Sequence, residues 1–214
     1  MPAESDKTAK GTDMAKALVI FLHGVGSNGD DLAPIGDDWA TLLPDVAFAS
    51  PDAPYFFEHG AGYQWFSLAG ITPENRPGRV REAREAFDHV IRHLMAKHGM
   101  TDCWENVILV GFSQGSIMAL DLLASGRYPL AGVVAFSGRL AFDGPLTPAP
   151  HTPALILHGR ADTVIPASES ESAATRLKAA GVLVEAVFEP QTGHTISAQG
   201  AMHAAGFIAQ CLRD

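Results

Sequence analysis

The sequence alternates short apolar runs with longer segments in which apolar residues recur every three or four positions. Several short runs are apolar on both faces, as in strands of a parallel sheet covered by helices. The predicted strands are residues 17–22, 46–50, 107–110, 132–136, 154–157 and 182–188. Helical periodicity predicts helices at residues 78–98, 114–125 and 168–180, and in a final segment around His203. This alternation predicts an α/β fold with a mainly parallel, twisted sheet flanked by helices.

The length of the chain, 214 residues, suits one domain. We predict that residues 15–214 form this domain and that the polar residues 1–14 are a loose N-terminal tail. Apolar residues make up 47% of the chain and charged residues 18%, which is typical of a compact globular protein.

The formal net charge is −9, and no cluster of Lys and Arg indicates a nucleic-acid surface. No apolar run approaches the roughly 18 residues that a membrane span needs. The run at 17–22 is too short for the core of a signal peptide and lacks a small-residue cleavage site. Cys103 and Cys211 have no metal-ligand spacing, and we expect reduced thiols rather than a disulfide. These features predict a cytoplasmic protein.

The sequence Gly-Phe-Ser-Gln-Gly at 111–115 is a G-x-S-x-G motif between a predicted strand and a predicted helix. In this context the serine occupies a strained turn that projects its hydroxyl above the sheet, and the flanking positions must be small. The helix that begins there directs N–H groups and its dipole toward the serine. The motif predicts that Ser113 is a nucleophile.

A serine hydroxyl needs a base to remove its proton, and in such folds an acid and then a histidine follow the serine along the chain. His194 lies in a predicted loop, whereas His203 falls within a predicted helix, so His194 is the favoured base. Among the acids, Asp162 directly follows the strand at 154–157. It is favoured over Asp143, which remains an alternative, and over Asp121, which lies within a helix.

A hydrolase of this kind also needs two N–H donors for the oxyanion of the tetrahedral intermediate. We predict that the backbone N–H groups of Gln114, which follows the nucleophile, and Val25, in the loop after the first strand, supply them. His23 is expected to organise that loop rather than to react. The irregular segment at 51–77 is rich in aromatic residues, and we predict that it forms a pocket wall.

A competing pattern occurs at 24–29, where the sequence also spells G-x-G-x-x-G after a strand, with Asp52 further on. This is the outline of a dinucleotide-binding fingerprint. The pattern is disfavoured because Asp30 and Asp31 would lie where a pyrophosphate binds, and because it explains none of the segments 111–115, 158–166 and 191–194.

Taken together, these segments resemble the phospholipase/carboxylesterase family of α/β hydrolases, which includes bacterial carboxylesterases and acyl-protein thioesterases. The resemblance extends over nearly all of residues 17–212 and rests on five segments in the family's order: 21–26, 64–68, 111–115, 158–166 and 193–197. It implies a minimal α/β-hydrolase fold without a lid domain. One departure is Ser116, where the family often has glycine; because serine is small, we expect the close helix packing to persist.

The resemblance supports Ser113, Asp162 and His194 as a catalytic triad, and it places Trp65 and Phe66 beside an acyl pocket. It implies a small-molecule ester or acyl substrate and no metal or organic cofactor. Relatives often form homodimers, although no self-complementary stripe is evident here. The segment at 137–152 has no firm match to the family. The sequence does not specify whether this segment determines the preferred length of the acyl chain.

The favoured function is hydrolysis of carboxylic esters through an acyl-enzyme on Ser113. One alternative is an acyl-protein or lysophospholipid-type esterase or thioesterase that uses the same triad. A second alternative, from another class, is a hydrolase-like protein that binds a ligand without turnover.

Overall fold

The structure, a computed structural model, describes residues 15–213; the predicted tail at 1–14 lies outside the described residues. The elements are β1 (Ala17–Leu22), α1 (Ala33–Ala40), β2 (Val46–Ala49), β3 (Tyr55–Phe56), β4 (Tyr63–Gln64), α2 (Arg76–Lys97), β5 (Val107–Phe112), α3 (Gln114–Ser125), β6 (Gly132–Phe136), β7 (Ala154–Gly159), α4 (Ala167–Ala179), β8 (Val184–Glu189) and α5 (Ala198–Cys211). Short 3₁₀ turns occur at Gly29–Asp31 and Trp104–Asn106.

Six strands form one parallel sheet in the order β2-β1-β5-β6-β7-β8. The four inner strands are buried along nearly their whole length, because helices cover both faces of the sheet. All six strands run in the same direction, so the loops that follow them emerge at one edge. The predicted parallel sheet flanked by helices is confirmed.

The core has two layers, one on each face of the sheet, because successive side chains of a strand point to opposite faces. On β1, Leu18, Ile20 and Leu22 belong to the core layer that includes α2, α3 and α4, whereas Val19 and Phe21 belong to the layer that includes α1 and α5. Each fully buried side chain of this size stabilises the fold by about 1.5–3 kcal/mol. The rigid centre of the sheet thus holds the ends of its strands in place.

A buried ion cluster joins α2 to α3, and we call it the helix ion cluster: Arg84, Asp88, Asp121 and Arg127. Arg84 donates two hydrogen bonds of 2.8 Å to Asp121, and Arg127 bridges Asp121 and Asp88. The Asp121 side chain is only 2% exposed. Bidentate guanidinium bonds satisfy this carboxylate where water has no access.

Two parts of the chain differ from the predicted pattern. The segment 51–77, predicted to be irregular, contains the antiparallel hairpin β3–β4. Helix α1 was not predicted, because it begins with an Ala-Pro pair and buries only Gly36 and Trp39. No disulfide joins Cys103 to Cys211. Within residues 15–213, no helix has the length and apolar character needed to cross a bilayer.

Candidate active site

Ser113 lies in a strained turn between β5 and α3. Its φ of 51° is in the left-handed region, which is unfavourable for a residue with a side chain. The flanking glycines make this turn possible, as the motif predicts. A Cβ atom on Gly115 would collide with the carbonyl oxygen of Leu22, and one on Gly111 would collide with the backbone of Ser116. The hydroxyl of Ser113 is therefore held at the carboxyl edge of the sheet.

His194 lies beside Ser113, although 81 positions separate the two residues in sequence. Its Nε2 is 3.0 Å from Ser113 Oγ, and its Nδ1 is 2.7 Å from Asp162 Oδ2. A carboxylate only accepts hydrogen bonds, so Nδ1–H donates to Asp162 and Nε2 is left to accept from the serine hydroxyl. This tautomer is the one that a general base needs.

The loop that carries His194 is fastened to the loop that carries Asp162. The N–H of Ala161 donates to the carbonyl of Thr192 at 3.0 Å. Gly159 packs so closely under this loop that a Cβ atom there would collide with the same carbonyl. At the far end of the loop, Ser197 caps α5 by accepting from the N–H of Gly200. The loop that carries the imidazole is thus held in place both before and after His194.

Asp162 has a fully buried side chain whose two oxygens are both occupied. Oδ2 accepts from His194, while Oδ1 accepts from the N–H groups of Val164 and Ile165 at 2.8 and 2.9 Å. Burial acts to raise the pKa of Asp162. The bonds from His194 and the two amides outweigh it, so the pKa lies below its ordinary value. Asp162 is consequently ionised at neutral pH and stabilises a proton on His194.

The loop after β1 approaches Ser113 closely. A Cβ atom on Gly24 would lie 3.3 Å from Ser113 Cβ. His23 is fully buried and organises this loop. Its Nδ1 bonds the carbonyl of Gly24 at 2.7 Å, and its Nε2 accepts from the N–H of Ala53 at 2.9 Å. Burial lowers the pKa of His23, against the opposing effects of the Gly24 carbonyl and nearby carboxylates, so the ring is neutral.

Val25 and Gln114, the predicted oxyanion donors, lie on this loop and at the first residue of α3. Among residues 15–213, neither backbone N–H donates to a protein acceptor. The first N–H groups of a helix have no intrahelical partner, so that of Gln114 is available to a ligand. Gln114 directly follows Ser113, and Val25 directly follows Gly24, which approaches Ser113 closely.

The side chain of Gln114 has a role that sequence reasoning missed. Its Oε1 accepts from the N–H of Trp65 at 2.8 Å, and its Nε2 donates to the carbonyl of Phe66 at 2.7 Å. Trp65 is itself fully buried and donates Nε1–H to the carbonyl of His23 at 2.9 Å. The indole therefore supports the loop that follows β1, and no part of it is open to solvent. We call the two hydrogen bonds of the Gln114 side chain the Gln114 clamp. The fourth position of the G-x-S-x-G motif can be any residue, so the motif did not predict them.

A cavity of about 480 Å³ is bordered by Phe66, whose carbonyl accepts from the Gln114 side chain. Its lining includes Tyr55 and Phe56 from the hairpin, Phe66, and Arg79 from α2. Phe66 thus contacts both the cavity and, through its carbonyl, the residue after the nucleophile. A mixed apolar and polar lining of this size is typical of a small-molecule site.

The alternative candidates lie elsewhere. Asp121 belongs to the helix ion cluster. Asp143 is largely exposed and pairs with Arg81 at 2.7 Å, a bond that lowers the pKa of Asp143. His203 on α5 pairs with Glu185 at 2.6 Å. The structure therefore brings Asp162 and His194 to the serine, and none of the other three.

The G-x-G-x-x-G segment at 24–29 packs against the protein's own chain at Gly29, where a dinucleotide would have to approach. The N–H of Gly29 donates to Asp52 at 2.9 Å, and a Cβ atom on Gly29 would collide with the carbonyl of Ser50. Asp52, which would bind a ribose in a dinucleotide site, is instead a partner of the loop. Within the described residues, no group of three or more His, Cys, Asp or Glu side chains is arranged to hold a metal ion.

Comparisons of the sequence and the structure with known proteins agree with this fold. Residues 3–212 match the family described as Phospholipase/Carboxylesterase. The Escherichia coli esterase YpfH is 34% identical over 182 residues, which cover 85% of this chain and 77% of YpfH. The crystal structure of esterase PE8 is 33% identical with a TM-score of 0.80, covering 92% of this chain and 93% of PE8. Arabidopsis thaliana SOBER1 is 26% identical with a TM-score of 0.77, covering 92% and 99%.

The sheet, the site at its carboxyl edge and these relatives define a hydrolase with the α/β-hydrolase fold, of the carboxylesterase type. The chain belongs to the phospholipase/carboxylesterase family.

Proposed function

We propose that the protein is a serine carboxylesterase that hydrolyses small carboxylic esters through an acyl-enzyme on Ser113, with His194 as base and Asp162 as acid. The observation that carries this proposal is the hydrogen-bonded series Ser113 Oγ, His194 Nε2, His194 Nδ1 and Asp162 Oδ2, with distances of 3.0 and 2.7 Å. These are the distances at which a proton can pass from the serine to the imidazole.

In the first half-reaction, Ser113 Oγ bonds to the carbonyl carbon of the ester while its proton moves to His194 Nε2. The carbonyl oxygen becomes an oxyanion, which accepts hydrogen bonds from the N–H groups of Val25 and Gln114. Each such donor is worth about 10²–10³-fold in kcat. Collapse of the intermediate breaks the ester C–O bond, and the leaving alkoxide takes the proton from His194.

In the second half-reaction, water attacks the acyl carbon and gives a proton to His194 Nε2. The bond to Ser113 Oγ breaks, the serine recovers its proton, and the carboxylic acid leaves. Throughout, the ionised Asp162 stabilises the imidazolium. This chemistry uses side chains and backbone amides alone.

We place one part of the substrate in the cavity that Phe66 lines. The clamp from the Gln114 side chain fixes this wall relative to the proposed oxyanion amide. Trp65 would not contact the substrate. It would instead support the loop that contains Val25, through its hydrogen bond to the carbonyl of His23. A panel of p-nitrophenyl esters graded in acyl length, run beside thioesters of the same acyl groups, measures which substrates the cavity favours. Phe66→Ala should shift the preferred acyl length if the cavity takes the acyl chain.

Ser113→Ala tests the mechanism. Turnover of a p-nitrophenyl ester should fall by on the order of 10³-fold or more, because no other hydroxyl replaces the nucleophile. Ser168→Ala, on the exposed face of α4, is the matched control and should retain full turnover. Near-full turnover by a folded Ser113→Ala variant would end the proposal.

A fluorophosphonate probe separates catalysis from mere ligand binding. It should label the wild-type protein at Ser113, and labelling should be lost in Ser113→Ala. A wild-type protein that resists the probe, yet melts at a higher temperature with an ester present, would favour the non-catalytic alternative. Cytoplasmic location and homodimer formation stay predictions from the sequence.

A further inference from the structure

A second buried histidine lies on the far side of the proposed catalytic acid. His158, near the end of β7, has a fully buried side chain. Its Nε2 is 2.8 Å from the carbonyl oxygen of Ile165 and 3.1 Å from Asp162 Oδ2. Its Nδ1 is 2.7 Å from the hydroxyl of Ser170 on α4. The mechanism above assigns no task to this residue.

The neighbours of the ring determine where its hydrogen lies. A carbonyl oxygen and a carboxylate only accept, so Nε2 must carry a hydrogen. The Ile165 carbonyl accepts this N–H at 2.8 Å, and Asp162 Oδ2 lies 3.1 Å from the same nitrogen. At the other nitrogen, Ser170 is held between the ring at 2.7 Å and the carbonyl of Gly138 at 3.2 Å. Buried polar groups of this kind are costly unless they are paired.

These contacts position the acid through the turn that bonds its Oδ1. Asp162 Oδ1 is bonded by the N–H groups of Val164 and Ile165, so the position of this turn sets the position of Oδ1. The carbonyl of Ile165 is in turn held by His158 Nε2. The same nitrogen lies 3.1 Å from Oδ2, the oxygen that accepts from His194. One imidazole therefore restrains the turn and the carboxylate together.

The chain of contacts continues back to the nucleophile. Gly138, whose carbonyl is near Ser170, packs directly on the Ser116 hydroxyl, where a Cβ atom would collide. Ser116 Oγ donates to the carbonyl of Ser113 at 2.7 Å. The acid and the nucleophile are thus joined by hydrogen bonds and by one packing contact, that of Gly138 on Ser116, in addition to the direct path through His194.

We propose that His158 is a positioning residue for the catalytic acid, and that Ser170 holds His158 in the required orientation. The inference rests on the proposed function, because it takes Asp162 as the acid of the triad. Loss of the Nε2–H would free the turn at 162–165 and let the carboxylate shift. A displacement of about 1 Å in a catalytic group can cost about 10²-fold in rate.

His158→Gln and His158→Asn form a matched pair. Both replace the ring with a neutral amide, but the Gln amide nitrogen reaches the position of Nε2, whereas that of Asn reaches only the position of Nδ1. We expect His158→Gln to keep kcat within about threefold of wild type and His158→Asn to lower kcat by about 10–100-fold, with KM little changed in both. His203→Gln, on the exposed face of α5, should leave both constants unchanged.

Two further readouts separate positioning from a purely structural role. Rates are expressed per active site, counted by fluorophosphonate titration, so that unfolded protein does not contribute. Proton NMR follows the Nδ1–H of His194, whose resonance reports its bond to Asp162. The resonance should shift or broaden in His158→Asn and return in His158→Gln. Equal kcat per active site in the two variants, with an unchanged resonance, would overturn the inference.

Ser170→Ala covers the case in which both amide variants fail to fold, because it removes a single hydroxyl. It should lower kcat by about three- to tenfold and shift the same resonance; wild-type values of both would count against the inference. Failure of the proposed function is distinguishable, since it would appear as turnover by Ser113→Ala. If Ser113→Ala is inactive while the His158 and Ser170 variants match wild type, only the present inference fails.

Discussion

Two buried aspartates illustrate how the same carboxylate serves different purposes in this fold. Asp121, in the helix ion cluster, is bonded by two guanidinium groups, which keep their protons at any physiological pH. Asp162 is bonded by two backbone amides and by the imidazole of His194, whose second ring nitrogen can accept a proton. Of the two, the carboxylate proposed as the catalytic acid is the one with a partner that can accept a proton.

Position in the fold explains the difference. Asp121 lies in the middle of α3, and its carboxylate accepts from Arg84 of α2 and from Arg127. Asp162 follows the last residues of β7, at the edge where the loops of β1 and β5 also emerge. His194, its partner there, keeps 18% of its side chain exposed. The sheet edge thus combines burial of the acid with access for a substrate.

The largest effect that separates the two aspartates should be on turnover. In Asp162→Asn, the amide can donate to His194 and favour the wrong tautomer, so we expect kcat to fall by about 10⁴-fold. In Asp121→Asn, kcat per folded molecule should stay within about twofold, because no contact of Asp121 reaches the triad. Steady-state kinetics with one p-nitrophenyl ester measures both. A comparable loss in Asp121→Asn would break the distinction.

Stability should rank the two residues in the opposite order. Asp121→Asn leaves the Arg84 and Arg127 guanidinium groups without their shared counter-charge, which should cost about 2–4 kcal/mol in the free energy of unfolding. The side chains of Arg84 and Arg127 are 27% and 18% exposed, and contact with water moderates the loss. Urea denaturation provides the measurement. An Asp162→Asn variant less stable than Asp121→Asn would contradict this order.

How far the sequence anticipates these two clusters depends on whether a contact is local. The strand–turn–helix around Ser113 and the strand end before Asp162 are local patterns, and the predicted strands agree with the structure to within a few residues. By contrast, Arg84 and Asp121 are 37 positions apart, on two helices whose facing surfaces no single segment specifies. Helix periodicity marks Arg84 and Asp121 only as polar residues.

The same limit applies within the candidate site. The clamp from Gln114 to the segment at 65–66 spans 48 or 49 positions, and the Ser170 hydroxyl meets His158 only because α4 packs back on β7. Ser116, which departs from the family's usual glycine, proved to bond the carbonyl of Ser113. Gln114, Ser116 and Ser170 all lie in the first turn of a helix, and polar residues at such positions are the one signal that could have pointed to these contacts.

A smaller effect should appear in the pH dependence of stability, and it extends the comparison to a buried base. Burial lowers the pKa of His23 in the folded state, so the unfolded chain binds the proton more tightly. The stability that His23 contributes is therefore complete above its unfolded pKa of about 6.5 and is lost as pH falls below that value. The slope can reach about 1.4 kcal/mol per pH unit for one proton.

His23→Gln is the matched variant, because its amide oxygen can accept from Ala53 as Nε2 does, but it does not titrate. Urea denaturation between pH 7 and pH 5 should give a flatter decline for His23→Gln than for wild type. The remaining histidines are common to both proteins, so the difference in slope isolates His23. Parallel declines would mean that His23 is protonated equally in the folded and unfolded states.

The smallest effect is expected at Asp143, which completes the comparison because it is a surface carboxylate in an ion pair. Its bond to Arg81 is as short as those of the buried aspartates, but water surrounds both side chains and screens the attraction. Asp143→Asn should leave the melting temperature unchanged within error and kcat within about twofold of wild type. Because Asp143 was also an alternative catalytic acid, a large loss of turnover in this variant would reverse the assignment of Asp162. Retained turnover, beside a 10⁴-fold loss in Asp162→Asn, would tie the chemistry to the carboxylate that holds an imidazole.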